Sequence, residues 1–185
     1  MSHPNLLVNG QTTLVVIDVQ EAFRNVIPEF ATVASRISTA IRGCQVLGVP
    51  VLVTEQYPKG LGPTAEEINF VLPEDHVAFE KTAFSSCGAD AFVAKLNGLG
   101  TKQVVICGLE THICVSQTAH DLLDRGYQVH ILTDCVCSRF EYNKAAGLAK
   151  MRAAGVIPSS VEMALFELMR DSRNEHFREI QSLIK

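Results

Sequence analysis

The stretch Gln103-Val104-Val105-Ile106-Cys107-Gly108-Leu109 runs directly into Glu110-Thr111-His112-Ile113-Cys114. Its first seven residues are almost continuously apolar and rich in β-branched side chains. A short run of this kind, without apolar–polar alternation, reads as a strand covered on both faces, as in a parallel sheet. The residues after it open a helical stretch, His112–Arg125, that stops before Gly126, a residue suited to a left-handed helix cap. Strand followed at once by helix is half of a crossover unit.

The same alternation extends in both directions. Thr13–Asp18, Pro50–Thr54 and Gln128–Thr133 read as further buried strands, and His76–Lys81 and Gly155–Pro158 as shorter ones. Helical stretches separate or follow them at Phe30–Leu47, Ala89–Leu96, Tyr142–Ala154, Val161–Met169 and Glu175–Ile184. Right-handed crossovers between such strands give a doubly wound α/β sheet in three α/β/α layers, Rossmann-like, with about six mainly parallel strands. No linker, repeat or low-complexity tract interrupts the pattern, so residues 1–185 read as one domain.

The bulk composition agrees. At 185 residues and 47% hydrophobic, the chain can bury a core covering roughly 70% of its unfolded surface. The net charge is −4 and no run of Lys or Arg appears, which argues against nucleic acid as a partner. No apolar run reaches the roughly 20 residues of a membrane span. Met1–Asn5 has no basic segment followed by an apolar one, so no secretory signal is expected and the cytoplasm is the expected location. Six cysteines (Cys44, Cys87, Cys107, Cys114, Cys135 and Cys137) then read mainly as buried free thiols. Cys135 and Cys137 are too closely spaced for a usual zinc pair.

In a doubly wound sheet, ligands bind beyond the carboxyl ends of the strands. That rule gathers Asp18, Lys81 and the segment Glu110 to Cys114 on one edge. Each has a plain alternative. Asp18 could be a cap or surface carboxylate, Lys81 a solvated lysine, and Cys114 a buried helical cysteine. Together they make chemistry. A lysine facing the carboxylate would support its charge and lower the pKa of a nearby thiol. The helix N-terminus would also favour thiolate, and its N–H groups could bind an oxyanion. His112 lies two residues from Cys114 on a helix, a spacing at which side chains do not face each other. His120 is nearly two turns further on. Neither reads as the base. Gly60-Leu61-Gly62 is a fragment of a dinucleotide loop in the wrong place, and reads as a loop lining the pocket.

Asp18 after an apolar strand, Lys81 in Lys81-Thr82-Ala83-Phe84-Ser85, and Gly108-Leu109-Glu110-Thr111 leading to Cys114 occur in that order. This set resembles the isochorismatase-like cysteine hydrolase superfamily, which includes nicotinamidases and N-carbamoylsarcosine amidohydrolase. Thr54-Glu55-Gln56-Tyr57-Pro58-Lys59-Gly60-Leu61-Gly62-Pro63-Thr64, Asp121–Gly126 and Glu179–Lys185 are similar, more narrowly, to the isochorismatase domain-containing proteins. The resemblance implies Asp18 as general base, Lys81 as electrostatic partner and Cys114 as nucleophile. It places a cis peptide at Leu109–Glu110 and an oxyanion hole at the N–H groups of Glu110 and Cys114. Departures matter too. Glu55 to Glu67 contains no His, unlike the metal-binding loop of nicotinamidases, so no metal or other cofactor is expected. True isochorismatases lack a cysteine at the nucleophile position, so Cys114 argues against isochorismate.

The expected activity is therefore hydrolysis of a small amide or related acyl substrate through a thioester. A non-enzymatic interaction protein on the same fold, or a thiol-redox protein, are the alternatives. The apolar residues Met163, Leu165, Phe166 and Met169 of the C-terminal helices predict a homo-oligomer, as does the resemblance.

Overall fold

The computed structural model describes residues 3–185; Met1 and Ser2, part of the N-terminal stretch read above, lie outside the described residues. The sheet comprises β1 (Thr12–Ile17), β2 (Val51–Gln56), β3 (Phe79–Lys81), β4 (Gln103–Leu109), β5 (Gln128–Cys137) and β6 (Ile157–Ser159). Their order is β3-β2-β1-β4-β5-β6, and every pairing is parallel. From β1 the chain builds outward to β2 and β3, then returns to the other side of β1 for β4. The crevice beyond the ends of β1 and β4 is therefore the topological switch point, where such sheets bind ligands.

The continuous apolar runs are explained by burial on both faces. Leu14 and Val16 of β1, with Val105, Cys107 and Leu109 of β4, face one half of the core. Helices α1 (Phe30–Val46), α7 (Val161–Met169) and α8 (Phe177–Ile184) cover it through Phe30, Ile37, Ile41, Leu165 and Ile180. Val15, Ile17, Val104 and Ile106 face the other half. There α4 (Asp90–Gly98), α5 (Ser116–Asp124) and α6 (Glu141–Ala153) pack through Phe92, Leu96, Ala119, Leu122 and Met151. The three-layer α/β/α architecture expected from the sequence is the one observed.

Local differences have identifiable causes. β5 continues four residues past Thr133. Asp134 is kept in the strand because its carboxylate accepts the first N–H of α7, from Val161 at 3.1 Å. The helix expected over His112–Arg125 is in two parts, a π-helical turn at Thr111–Val115 and then α5. The short helices α2 (Pro58–Leu61) and α3 (Glu66–Asn69) are too brief to show a periodicity. α8 begins at Phe177, two residues after the expected start. The C-terminal helices cover most of their own apolar surface. Leu165 and Met169 are buried within the chain, and Phe166 packs edge-on against Phe177 with 6.3 Å between ring centroids. Met163 alone of the four is exposed, at 52%. That helix pair therefore offers much less surface to a second subunit than its composition suggests. Among the described residues, no helix is long and apolar enough to cross a membrane.

Candidate active site

Asp18 sits one residue past β1, with a left-handed backbone at φ +53° that Asp tolerates better than most residues. Its N–H donates to Thr54 O at 3.1 Å, which keeps it in register with β2. The carboxylate is fully buried and both its oxygens are engaged. Thr54 Oγ1 donates to Oδ1 at 2.8 Å, and Lys81 Nζ donates to Oδ2 at 2.6 Å. Gly108 lets β4 approach closely at this point. A Cβ there would stand 2.0 Å from Ile17 O, and φ is +123°.

Lys81 ends β3, in register with Gln56 of β2. Its ammonium is buried and surrounded by acceptors. Besides Asp18 it donates to Gln56 Oε1 at 2.8 Å and to the carbonyls of Phe84 at 2.8 Å and Ala83 at 3.3 Å. A buried charge is costly unless it is paired and hydrogen-bonded, and here it is both.

Cys114 lies in the π-helical turn and is 7% exposed. Its thiol is close enough to Asp18 and Lys81 for each to shift its proton affinity. Burial pushes the thiol up, the Asp18 charge pushes it further, and Lys81 pulls it down; the result is about 12. The helix start and Lys81 do not, as the sequence suggested, produce a standing thiolate. Burial and the neighbouring carboxylate win. Burial also raises Asp18, against the opposing pull of Lys81, Thr54 and Cys114. The arrangement holds a neutral thiol beside a buried carboxylate.

Glu110 follows a cis peptide bond to Leu109. Its carbonyl accepts N–H groups from Ile113 at 3.0 Å and Val115 at 3.3 Å, the residues on either side of Cys114. Its buried carboxylate accepts the Arg139 backbone N–H at 2.8 Å and Arg139 Nε at 3.2 Å. This ties the turn carrying Cys114 to the end of β5. α6 braces the same turn, because a Cβ on Gly147 would lie 2.9 Å from His112 Cα. The histidines bond elsewhere, His112 Nδ1 to Ser138 Oγ at 3.0 Å and His120 Nδ1 to Ser116 O at 2.6 Å.

Beside Lys81, Tyr57, Lys59, Glu80 and Thr82 line a cavity of about 410 Å³. Residues just before Gly60-Leu61-Gly62 contribute to it. Among the described residues, no group of three or more His, Cys, Asp or Glu is arranged to hold a metal ion. All six cysteines are free and buried, and burial raises Cys44 to about 12 and Cys137 to about 11. Sequence reading missed the supporting groups Thr54, Gln56, Gln20 and Arg139. Their one advance signal was position, since each lies within the last three residues of a strand or just past its carboxyl end.

Comparison with known proteins gives the family. Residues 12–163 match the model of the isochorismatase domain. The chain belongs to the isochorismatase family. It is 37% identical over 174 residues to Isochorismatase domain-containing protein 2 of Danio rerio, covering 94% of this chain and 86% of that protein. With Isochorismatase domain-containing protein 1 of Salmo salar it shares 38% identity over 97% of its length, but spans 62% of that longer protein. A solved structure described as MAR1 ribonuclease from Caenorhabditis elegans superposes with a TM-score of 0.92 at 35% identity, covering 97% of this chain and 92% of that one. The isochorismatase fold and family identify the chain as a hydrolase.

Proposed function

We propose that residues 1–185 form a single cysteine-hydrolase domain that cleaves a small amide or related acyl substrate at Asp18, Lys81 and Cys114. The observation that carries this reading is the buried Lys81–Asp18 pair at 2.6 Å beside the thiol. A fixed cation beside a carboxylate, with a neutral thiol in reach, suits a base that takes the thiol proton as attack begins.

In this mechanism Asp18 accepts the thiol proton while the Cys114 sulfur bonds to the substrate carbonyl carbon. The N–H groups of Glu110 and Cys114 receive the developing oxyanion. The C–N bond then breaks, and the leaving amine takes the proton from Asp18. Water attacks the thioester and gives a proton to Asp18. The C–S bond breaks and that proton returns to sulfur, freeing the acid. Lys81 keeps its protons throughout and balances the charge of Asp18.

The name of the Caenorhabditis elegans structure raises a nuclease reading. The net charge of −4 favours a small molecule over a polyanion. Six free thiols accord with a reducing, cytoplasmic setting. Exposed Phe140 and Tyr142, stacked at 5.4 Å, offer apolar surface for self-association into a homo-oligomer.

The test is a panel of small amides and esters with wild type and Cys114→Ala. Turnover that disappears in Cys114→Ala supports the proposal. Turnover that survives removes the nucleophile role. Absence of turnover, with reversible oxidation of Cys114, favours the thiol-redox alternative.

A further inference from the structure

We propose that Gln56 is a positioning residue for the Lys81 cation, held in place for that task by Gln20. The inference rests on the reading of Asp18 as the base that Lys81 serves.

An ammonium has three protons. Lys81 has three short acceptors, Asp18 Oδ2 at 2.6 Å, Gln56 Oε1 at 2.8 Å and Phe84 O at 2.8 Å, with Ala83 O further away at 3.3 Å. Gln56 supplies the one neutral side chain in this set. Its amide is fixed the right way round, because its Nε2 donates to Thr82 O at 2.8 Å. Flipping it would set an NH2 group against the ammonium and an oxygen against a carbonyl.

The backbone of Gln56 is fixed as well. β1 leaves the ladder after Ile17 pairs with Thr54, so Gln56 has lost its strand neighbour on that side. The buried Gln20 side chain replaces it. Gln20 Oε1 accepts the Gln56 N–H at 2.8 Å, and Gln20 Nε2 donates to Gln56 O at 3.1 Å and to Gly62 O at 2.7 Å. A side-chain amide thus does the work of a peptide unit, extending the sheet past the end of β1. On its other side Gln56 is in register with Lys81 of β3. A continuous chain of contacts runs from Gln20 through Gln56 and Lys81 to Asp18.

Without the Gln56 oxygen, the ammonium has only backbone carbonyls opposite Asp18 and is free to turn toward them. Its pull on the carboxylate weakens, while the burial of Asp18 stays. The Asp18 carboxyl then titrates at higher pH. A residue that merely filled space would not move that titration.

The experiment follows the Asp18 carboxyl by 13C NMR against pH in the full chain. Gln56→Met keeps the length and removes the amide. Its Asp18 midpoint is expected to rise by roughly half a unit or more. In a Lys81→Met background the same substitution should add little, because Gln56 acts through Lys81. An Asp18 titration that overlays wild type in Gln56→Met overturns the proposal. So does a shift that persists undiminished without Lys81. Should Lys81→Met not fold, the single variant still decides. The titration is read in the resting protein, so it fails or succeeds separately from Cys114-dependent turnover.

Discussion

Lys81 Nζ lies 2.6 Å from Asp18 Oδ2, and both side chains are completely removed from solvent. Removing one member of such a pair leaves the other buried without its counterion, either charged or neutralised at a cost. Lys81→Ala is therefore expected to cost about 3–5 kcal/mol. Replacing both, as Asp18→Asn with Lys81→Met, leaves no stranded charge and should recover most of that loss without restoring hydrolysis. Urea unfolding at pH 7 measures both. A Lys81→Ala protein as stable as wild type would mean that the pair is not shielded from water as described.

His130 gives a pH dependence with a definite sign. It is 1% exposed near the start of β5, its Nε2 has no hydrogen-bond partner among the described residues, and burial lowers it from 6.5 to about 4. Below pH 6.5 the unfolded chain takes up a proton that the folded chain refuses until about pH 4. Stability from this residue is complete above pH 6.5 and declines as pH falls through that window, by up to about 3 kcal/mol. His76, also lowered by burial, adds to the same trend. Unfolding free energies between pH 7 and 4.5 should fall less steeply in His130→Leu. Parallel curves for the two proteins would remove His130 from the account.

Glu110 and Arg139 should respond unequally. The Glu110 carboxylate is buried and binds a backbone N–H as well as the guanidinium. The Arg139 side chain is 48% exposed. Glu110→Ala loses charge-assisted bonds to both the Arg139 backbone N–H and its guanidinium, for about 2–3 kcal/mol. Arg139→Ala keeps the backbone donor and loses a half-exposed ion pair, for about 1 kcal/mol or less. Any measured hydrolysis should fall more in Glu110→Ala, since the turn carrying Cys114 loosens. Equal losses in the two variants would show that the side-chain ion pair, not the backbone anchor, holds this turn.

The sheet was legible because burial on both faces leaves an unbroken apolar run, as in Leu14-Val15-Val16-Ile17. That pattern has no dependence on distant residues. The end of β5 was less legible. Asp134 looks like a strand terminator, yet stays in β5 because α7 returns to present the Val161 N–H. No local signal announces a partner 27 residues away. The site's charged residues could be located by the strand-end rule, since Asp18 and Lys81 end or follow apolar runs. Their protonation could not. Lys81 and the helix start are visible in sequence, whereas the burial that overrides them depends on the packing of several elements. Gln20 and Gln56 were invisible for a similar reason. A glutamine that extends a sheet looks like any polar loop residue until its hydrogen bonds to the neighbouring strand are seen.

The Cys114 thiol, pushed up to about 12, is neutral at pH 7. Its iodoacetamide labelling should be slow there and should climb without a plateau through pH 10. Two neighbours act on it in opposite directions, Asp18 raising and Lys81 lowering its pKa. Near pH 7 the Lys81→Ala comparison is confounded, because losing the cation raises the buried Asp18 carboxyl further, and a protonated Asp18 would no longer repel the thiolate. The informative comparison is therefore near pH 10, where Asp18 is ionised in either protein. There Lys81→Ala should label more slowly, by about tenfold for each unit of added pKa. Lys81→Arg should recover part of the rate, since a planar guanidinium cannot reproduce the tetrahedral contacts of the ammonium. Asp18→Asn should label faster than wild type while losing hydrolysis, because it removes a repelling charge and a base together. Intact-mass kinetics on the three variants read all of this. If Lys81→Ala overlays wild type near pH 10, Lys81 does not act on the thiol, and its place in the mechanism is confined to Asp18.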